Sequence, residues 1–216
     1  MRTVRTFTIF AVLLYLIVSI CLFACGFFDE IGTMSTIVTT VTAIIGAFAI
    51  WFQMKREKDI KEAEFIMSYN MSFLENEEMV KFEQQLEHFR KEYERLDPTD
   101  ELQMKELKDR YSSLVNDDNL QIVINYLVYH EALAAMIKKG VLNFDSIDSL
   151  FAYRFFLVMN NPIVQEKELC PDYKYYKGCF WLYMEWCKYQ QENGLYLLLG
   201  YFSLAKTKEY KIVNGV

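Results

Sequence analysis

Two uninterrupted apolar runs occupy the first fifty-two residues, and they constrain the fold more than any other feature. Phe7 to Phe28 carries no charge, with Thr8 and Ser19 as its polar hydroxyl breaks, and Met34 to Phe52 is also uncharged. Each is about 20 residues long, the length a helix needs to cross roughly 30 Å of hydrocarbon. Arg2 and Arg5 precede the first run, Lys55, Arg56 and Lys58 follow the second, and the short connection between them holds Asp29 and Glu30. Basic flanks stay in the cytoplasm, so residues 1–52 predict a transmembrane hairpin with both termini inside. Thr36, Thr39, Thr40, Ala43, Gly46 and Ala47 form a small-residue face on which the two spans pack. The alternative is a cleaved leader: Leu22 to Cys25 resembles a lipoprotein box apart from the bulky Phe23.

Residues 53–216 read as one mainly α-helical domain, large enough for its own core. Pro98, Pro162 and Pro171 are the only prolines. Helical spacing recurs in nearly every segment, beginning with Ile60, Ala63, Met67, Met71 and Leu74, which continue the second span without a Pro or Gly. Met79, Phe82, Leu86, Phe89 and Tyr93 lie before Asp97-Pro98, and Met104, Leu107, Tyr111 and Leu114 after it. This spacing predicts a charged helical hairpin over about 77–115, turning at Asp97 to Asp100. With a net charge of −6 and no basic patch, nucleic acid is not an expected partner.

The next stripe is Leu120, Val123, Leu127, His130, Ala134 and Ile137, closed by Gly140 as a left-handed cap. Asp145 or Ser146 is the expected cap of the following helix, whose stripe is Ile147, Leu150 or Phe151, Arg154, Phe155 and Val158. Asn160-Asn161-Pro162 ends that helix and restarts one over 162–169. Pro171 is expected to open an aromatic helix containing Tyr173, Tyr176, Phe180, Tyr183 and Cys187, stopped by Asn193-Gly194. The apolar segment from Leu195 to Ala205 is expected to pack in the domain, with a β-hairpin through Lys206 to Val213 as an alternative.

Polar residues on apolar stripes are the candidates for a site. His130, with Glu131 at its border, and Arg154 among phenylalanines are the clearest cases. A buried guanidinium needs an acidic partner, and Glu131 is the first candidate, Glu168 the second. The bland reading, a structural ion pair, outweighs a catalytic one. His88 and His130 have no second His or Cys at ligand spacing, and Cys170, Cys179 and Cys187 form no CxxC pair. No phosphate-binding glycine loop or nucleophile elbow occurs, so neither metal nor cofactor is expected.

From Ala63 onward the chain resembles a loose group of bacterial and prophage-borne membrane proteins of unassigned function. The residues that carry the likeness are Glu64-Phe65-Ile66-Met67, Phe73-Leu74, Asn125-Tyr126-Leu127 with Glu131, and above all Asp148 to Phe156 with Asn160-Asn161-Pro162 and Gln165-Glu166. Some of that group are described as phage abortive-infection proteins. The resemblance implies two N-terminal spans, a helical cytosolic domain, and phage defence at the bacterial inner membrane, and it transfers no catalytic residue. The expected function is a non-enzymatic interaction or sensor module, whose partners are the lipid bilayer and a second copy or another protein. A tethered enzyme built on His130, Glu131 and Arg154 and a small oligomeric channel are the alternatives.

Overall fold

A computed structural model describes residues 31–97, 100–195 and 203–215, and every described element is helical. The first apolar run therefore lies outside the described residues, and with it the partner expected for the small-residue face. The chain divides into two compact units, residues 1–61 and 62–216. Helix α1 (Ile31–Leu74) is a single helix that takes in the second apolar run. Within its Val38–Leu74 stretch lies an 18-residue apolar window with no buried side chain, long enough to cross a membrane.

The second unit is a helical bundle. After α1 come α2 (Glu77–Tyr93), α3 (Glu101–Arg110), a 3-10 turn (Ser112–Leu114), α4 (Leu120–Lys138) and α5 (Phe144–Met159). Then follow α6 (Pro162–Val164), continued by a π-helical turn (Gln165–Leu169), α7 (Lys177–Glu192), a 3-10 turn (Leu204–Lys206) and α8 (Lys208–Asn214). Helix α4 packs against α7 and α2, α2 also meets α5, and α8 lies on α7. Helix α4 is apolar and long enough to pass the same span test, but Val123, Tyr126, Leu127, His130, Leu133 and Ala134 are buried in the bundle. It contributes to the core of this unit, with α2 and α7 packed against it.

Local chemistry explains most of the boundaries. Asn76 caps α2 by accepting from the Met79 amide at 3.1 Å, and Asp100 caps α3 by accepting from Leu102 and Gln103. The two helices lie against each other, joined by Arg110–Glu92 at 2.5 Å and by Tyr111 donating to Glu92 at 2.7 Å. Asn161 accepts from the amides of Ile163 and Val164, with Pro162 at the first helical position, where its missing N–H costs nothing. Gly140 has a φ of 67°, the left-handed end expected after α4, and Gly194, with a φ of 64°, ends α7 in the same way.

Four expectations need correction. The stripe Ile60, Ala63, Met67, Met71, Leu74 is exposed; α1 faces its own unit with Ile66, Tyr69, Asn70 and Phe73 instead. Both faces are apolar at helical spacing, and the larger aromatic one is buried. Helix α5 is capped by Asn143, which accepts from Ser146 N, and this leaves Asp145 and Asp148 free to serve α7. The aromatic helix starts at Lys177 rather than at Pro171, so Tyr173 and Tyr176 precede it. The segment around Lys206 to Val213 is helical, not a strand. Residues 196–202 lie outside the described set, while Ser203 and Leu204 are buried.

The core is built largely of rings. Trp186 is fully buried, stacks on Phe155 at 5.2 Å between centroids and meets Phe156 at 5.9 Å. Its indole N–H donates to Asp148 at 2.6 Å, and the Gln190 amide donates to the same oxygen at 3.1 Å. Asp148→Ala leaves a buried indole donor unpaired, which costs about 1–3 kcal/mol. Urea unfolding of the full chain in detergent is expected to show that loss. The exposed Asp117→Ala variant is expected to unfold like the parent.

Candidate functional site

One polar cluster, Asn70, Glu83 and Arg154, forms where α1, α2 and α5 meet. Arg154 of α5 donates from Nη1 to the Asn70 side-chain oxygen at 2.6 Å, and its Nε lies 3.1 Å from a Glu83 oxygen. The guanidinium carbon sits 4.4 Å from the Phe73 ring centroid, a cation–π contact. Side-chain exposure of Arg154 and Glu83 is 16% and 19%, so the pair is largely out of water. Burial raises the Glu83 carboxyl above its usual range more than Arg154 lowers it, and the Glu87 charge raises it a little further. The pair thus holds the helices in register more than it adds net stability.

His130 lies deeper, fully buried on α4 against the rings of Tyr126, Tyr129 and Phe155, with centroids 5.3 to 5.4 Å away. Neither imidazole nitrogen has a hydrogen-bond partner, and neither does the buried Tyr126 hydroxyl. Burial, with a smaller contribution from the Arg154 charge, lowers the imidazole pKa to about 3, so His130 is neutral at physiological pH.

Glu131 does not meet Arg154. Its carboxylate accepts from the Cys179 amide at 2.6 Å, in the first turn of α7, a helix whose own cap residue Tyr176 makes no side-chain cap bond. Glu131 caps that helix from outside, where an acid also suits the helix dipole. A Cβ at position 178 would stand 2.9 Å from the Glu131 carboxyl carbon, so a side chain there makes this carboxylate shift. Glu168, the second candidate for Arg154, accepts instead from the Tyr176 hydroxyl at 2.5 Å. Both expected pairings are therefore replaced by Glu83, a residue of the charged hairpin.

His130, Glu131 and Arg154 thus point into three different environments and share no reacting position. Burial drives the Cys179 thiol well above its ordinary value, with the Glu131 charge adding to it, and pushes Cys170 and Cys187 up to about 12. These thiols are held protonated, unsuited to attack or metal ligation. Among the described residues no three His, Cys, Asp or Glu side chains come together as metal ligands would. His88 is exposed on α2. The arrangement can orient helices and order a charge in the core. Sequence reasoning missed Asn70 and Glu83. Asn70 carries the signal that marked His130, a polar residue on an apolar stripe, once the Ile66–Phe73 face of α1 is recognised as the buried one.

Arg154→Met strands the Glu83 charge and is expected to cost about 3–5 kcal/mol, whereas Arg154→Met with Glu83→Leu recovers most of it. Chemical unfolding of both variants in detergent measures this. Exchanging the charges of Arg154 and Glu131 restores nothing, because they do not touch. Stability also depends on His130. The unfolded chain takes a proton near pH 6.5 and the folded chain near 3, so stability falls as pH drops through that window, by about 1.4 kcal/mol per unit. Glu83 acts in the opposite sense: its raised pKa favours folding below the unfolded value near 4.5 and loses that contribution as pH rises. Unfolding at pH 7 and 5 is expected to show a clear loss for the parent and a flatter response for His130→Leu. At pH 7 that variant should match or exceed the parent, since no hydrogen bond is removed.

No curated protein and no solved structure matches the chain. The family DUF4760, described as a domain of unknown function, matches residues 36–186, which include much of α1 and the bundle through Trp186. The chain belongs to that family.

Proposed function

We propose that the protein is an interaction and sensor module anchored in the bacterial inner membrane, with its helical bundle and both termini in the cytoplasm. One observation carries the anchoring. A single helix, α1, holds an apolar window with no buried side chain near one end and a docking face of Ile66, Tyr69, Asn70 and Phe73 near the other. Lys55, Arg56 and Lys58 follow the window and favour a cytoplasmic position for what comes next. The dispersed His130, Glu131 and Arg154 speak for a binding or signalling role over catalysis.

The outer face of α1 within the second unit adds a partner. Ala63, Met67, Met71 and Leu74 face away from the bundle, with Met67 58% and Met71 46% exposed. Anchored copies in one membrane present this face in the same direction, which suits a parallel pair of α1 helices. The role in phage defence by abortive infection comes from the resemblance of Asp148 to Phe156 and the Asn160-Asn161-Pro162 segment alone.

Expression in a bacterial host is expected to lower the plating efficiency of at least one phage in a broad panel, and removal of residues 1–52 to abolish that protection. Unchanged plating across the panel refutes the defence role. Recovery of the full chain in the soluble fraction refutes the anchoring. In membranes, Met67→Cys and Met71→Cys are expected to cross-link between copies, and Ser72→Cys to do so far less.

A further inference from the structure

Helix α1 meets its own unit through Ile66 and Phe73, which are buried in the core, through Phe65 and Tyr69 packed against it, and through side-chain hydrogen bonds. Tyr69 and Tyr129 stack with centroids 4.1 Å apart, and each hydroxyl donates to the other residue's backbone carbonyl. Asn143 donates to Glu62 at 2.8 Å, and Arg154 holds Asn70 while lying over Phe73. Moving residues 62–74 therefore breaks a small set of named hydrogen bonds and shifts the buried Ile66 and Phe73 against the core.

The same guanidinium that grips α1 grips α2. Arg154 bonds Asn70 with one arm and Glu83 with Nε, and those two acceptors lie on consecutive helices. If Asn70 withdraws, the guanidinium loses an acceptor in a place where burial makes each one costly, and its hold on Glu83 must readjust. A second connection runs through rings: Phe73 meets Tyr126 edge-on at 5.4 Å, and Tyr126 meets Phe82 of α2 at 5.4 Å.

We infer that residues 62–74 of α1 are a displaceable dock, and that Arg154 passes their displacement to the α2–α3 hairpin through Glu83. The sensor reading supplies only what drives the displacement; the coupling belongs to the bundle. It is measured in purified protein, so its failure is distinct from a failure of localisation or plating.

The test is amide hydrogen exchange of the full chain in detergent micelles, analysed as a coupling cycle. Tyr69→Phe with Tyr129→Phe removes the two hydroxyl bonds and keeps the stacked rings. Peptides over residues 62–74 are expected to exchange about tenfold faster, and those over Glu77–Tyr93 severalfold faster, while Lys177–Glu192 is unchanged. Adding Asn70→Ala cuts the α1 arm of Arg154. The tyrosine change should then still loosen 62–74, with the response of Glu77–Tyr93 reduced to less than about twofold. Arg154→Lys, which keeps a charge for Glu83 and loses the second arm, is expected to decouple in the same way and replaces Asn70→Ala if that chain does not fold. Three results overturn the inference: no response in α2 to the tyrosine change, an undiminished response with the Asn70 arm cut, or equal acceleration in α7. The last means that the bundle unfolds as one and has no separable dock.

Discussion

A guanidinium with most of its surface out of water has to find acceptors, and Arg154 finds them on two helices that are not its own. Asn70 reaches it from α1 and Glu83 from α2, while Phe73 offers its ring face to the charge. Moving either helix away costs the guanidinium an acceptor in a poorly solvating interior. The neighbouring imidazole answers the same constraint differently. With no acceptor in reach and a positive charge nearby, His130 stays neutral and behaves as one more ring in an aromatic cage.

Elsewhere the bundle handles its polar groups one at a time. The Glu131 carboxylate supplies the cap that α7 lacks and lies close over Gly178. Asp148 collects the indole N–H of Trp186 and the amide of Gln190, and Asp145 accepts from the Tyr189 hydroxyl at 2.7 Å. Asn160 receives the Tyr183 hydroxyl and the Leu204 amide, tying the C-terminal segment to the end of α5. Lys167 donates to the carbonyls of Ser112 and Val115, joining the π-helical turn to the 3-10 turn. Each contact joins elements far apart in the chain, and together they give a ring-rich core a single arrangement.

Helix positions were legible because period and punctuation act locally. Asn76, Asp100 and Asn161 cap the helices that follow them, and Gly140 and Gly194 end theirs in the left-handed region. Misreadings arose where two local signals competed. Asn143 and Asp145 both suit a helix start, and the choice turned on Asp145 being engaged by Tyr189. On α1, two apolar faces share one spacing, and period alone does not say which is buried. The candidate residues were identified as polar residues on apolar stripes, but their partners were not. Hydrogen-bond choice depends on helix rotation and distance in space, which sequence spacing does not encode.

By itself the sequence determined a mainly helical chain, an uncharged second run long enough to span, and which polar residues would be forced into the core. Those properties follow from composition and period along single helices. Tertiary structure decided that Arg154 answers to Glu83 and Asn70 rather than to Glu131, that Glu131 caps α7, and that Met67 and Met71 face outward. It also decided that α1 meets the bundle through buried Ile66 and Phe73, the Tyr69–Tyr129 stack and side-chain hydrogen bonds. The physical reason is the same throughout: desolvation tells a buried charge that it must be paired, and only packing in three dimensions settles which group stands within reach.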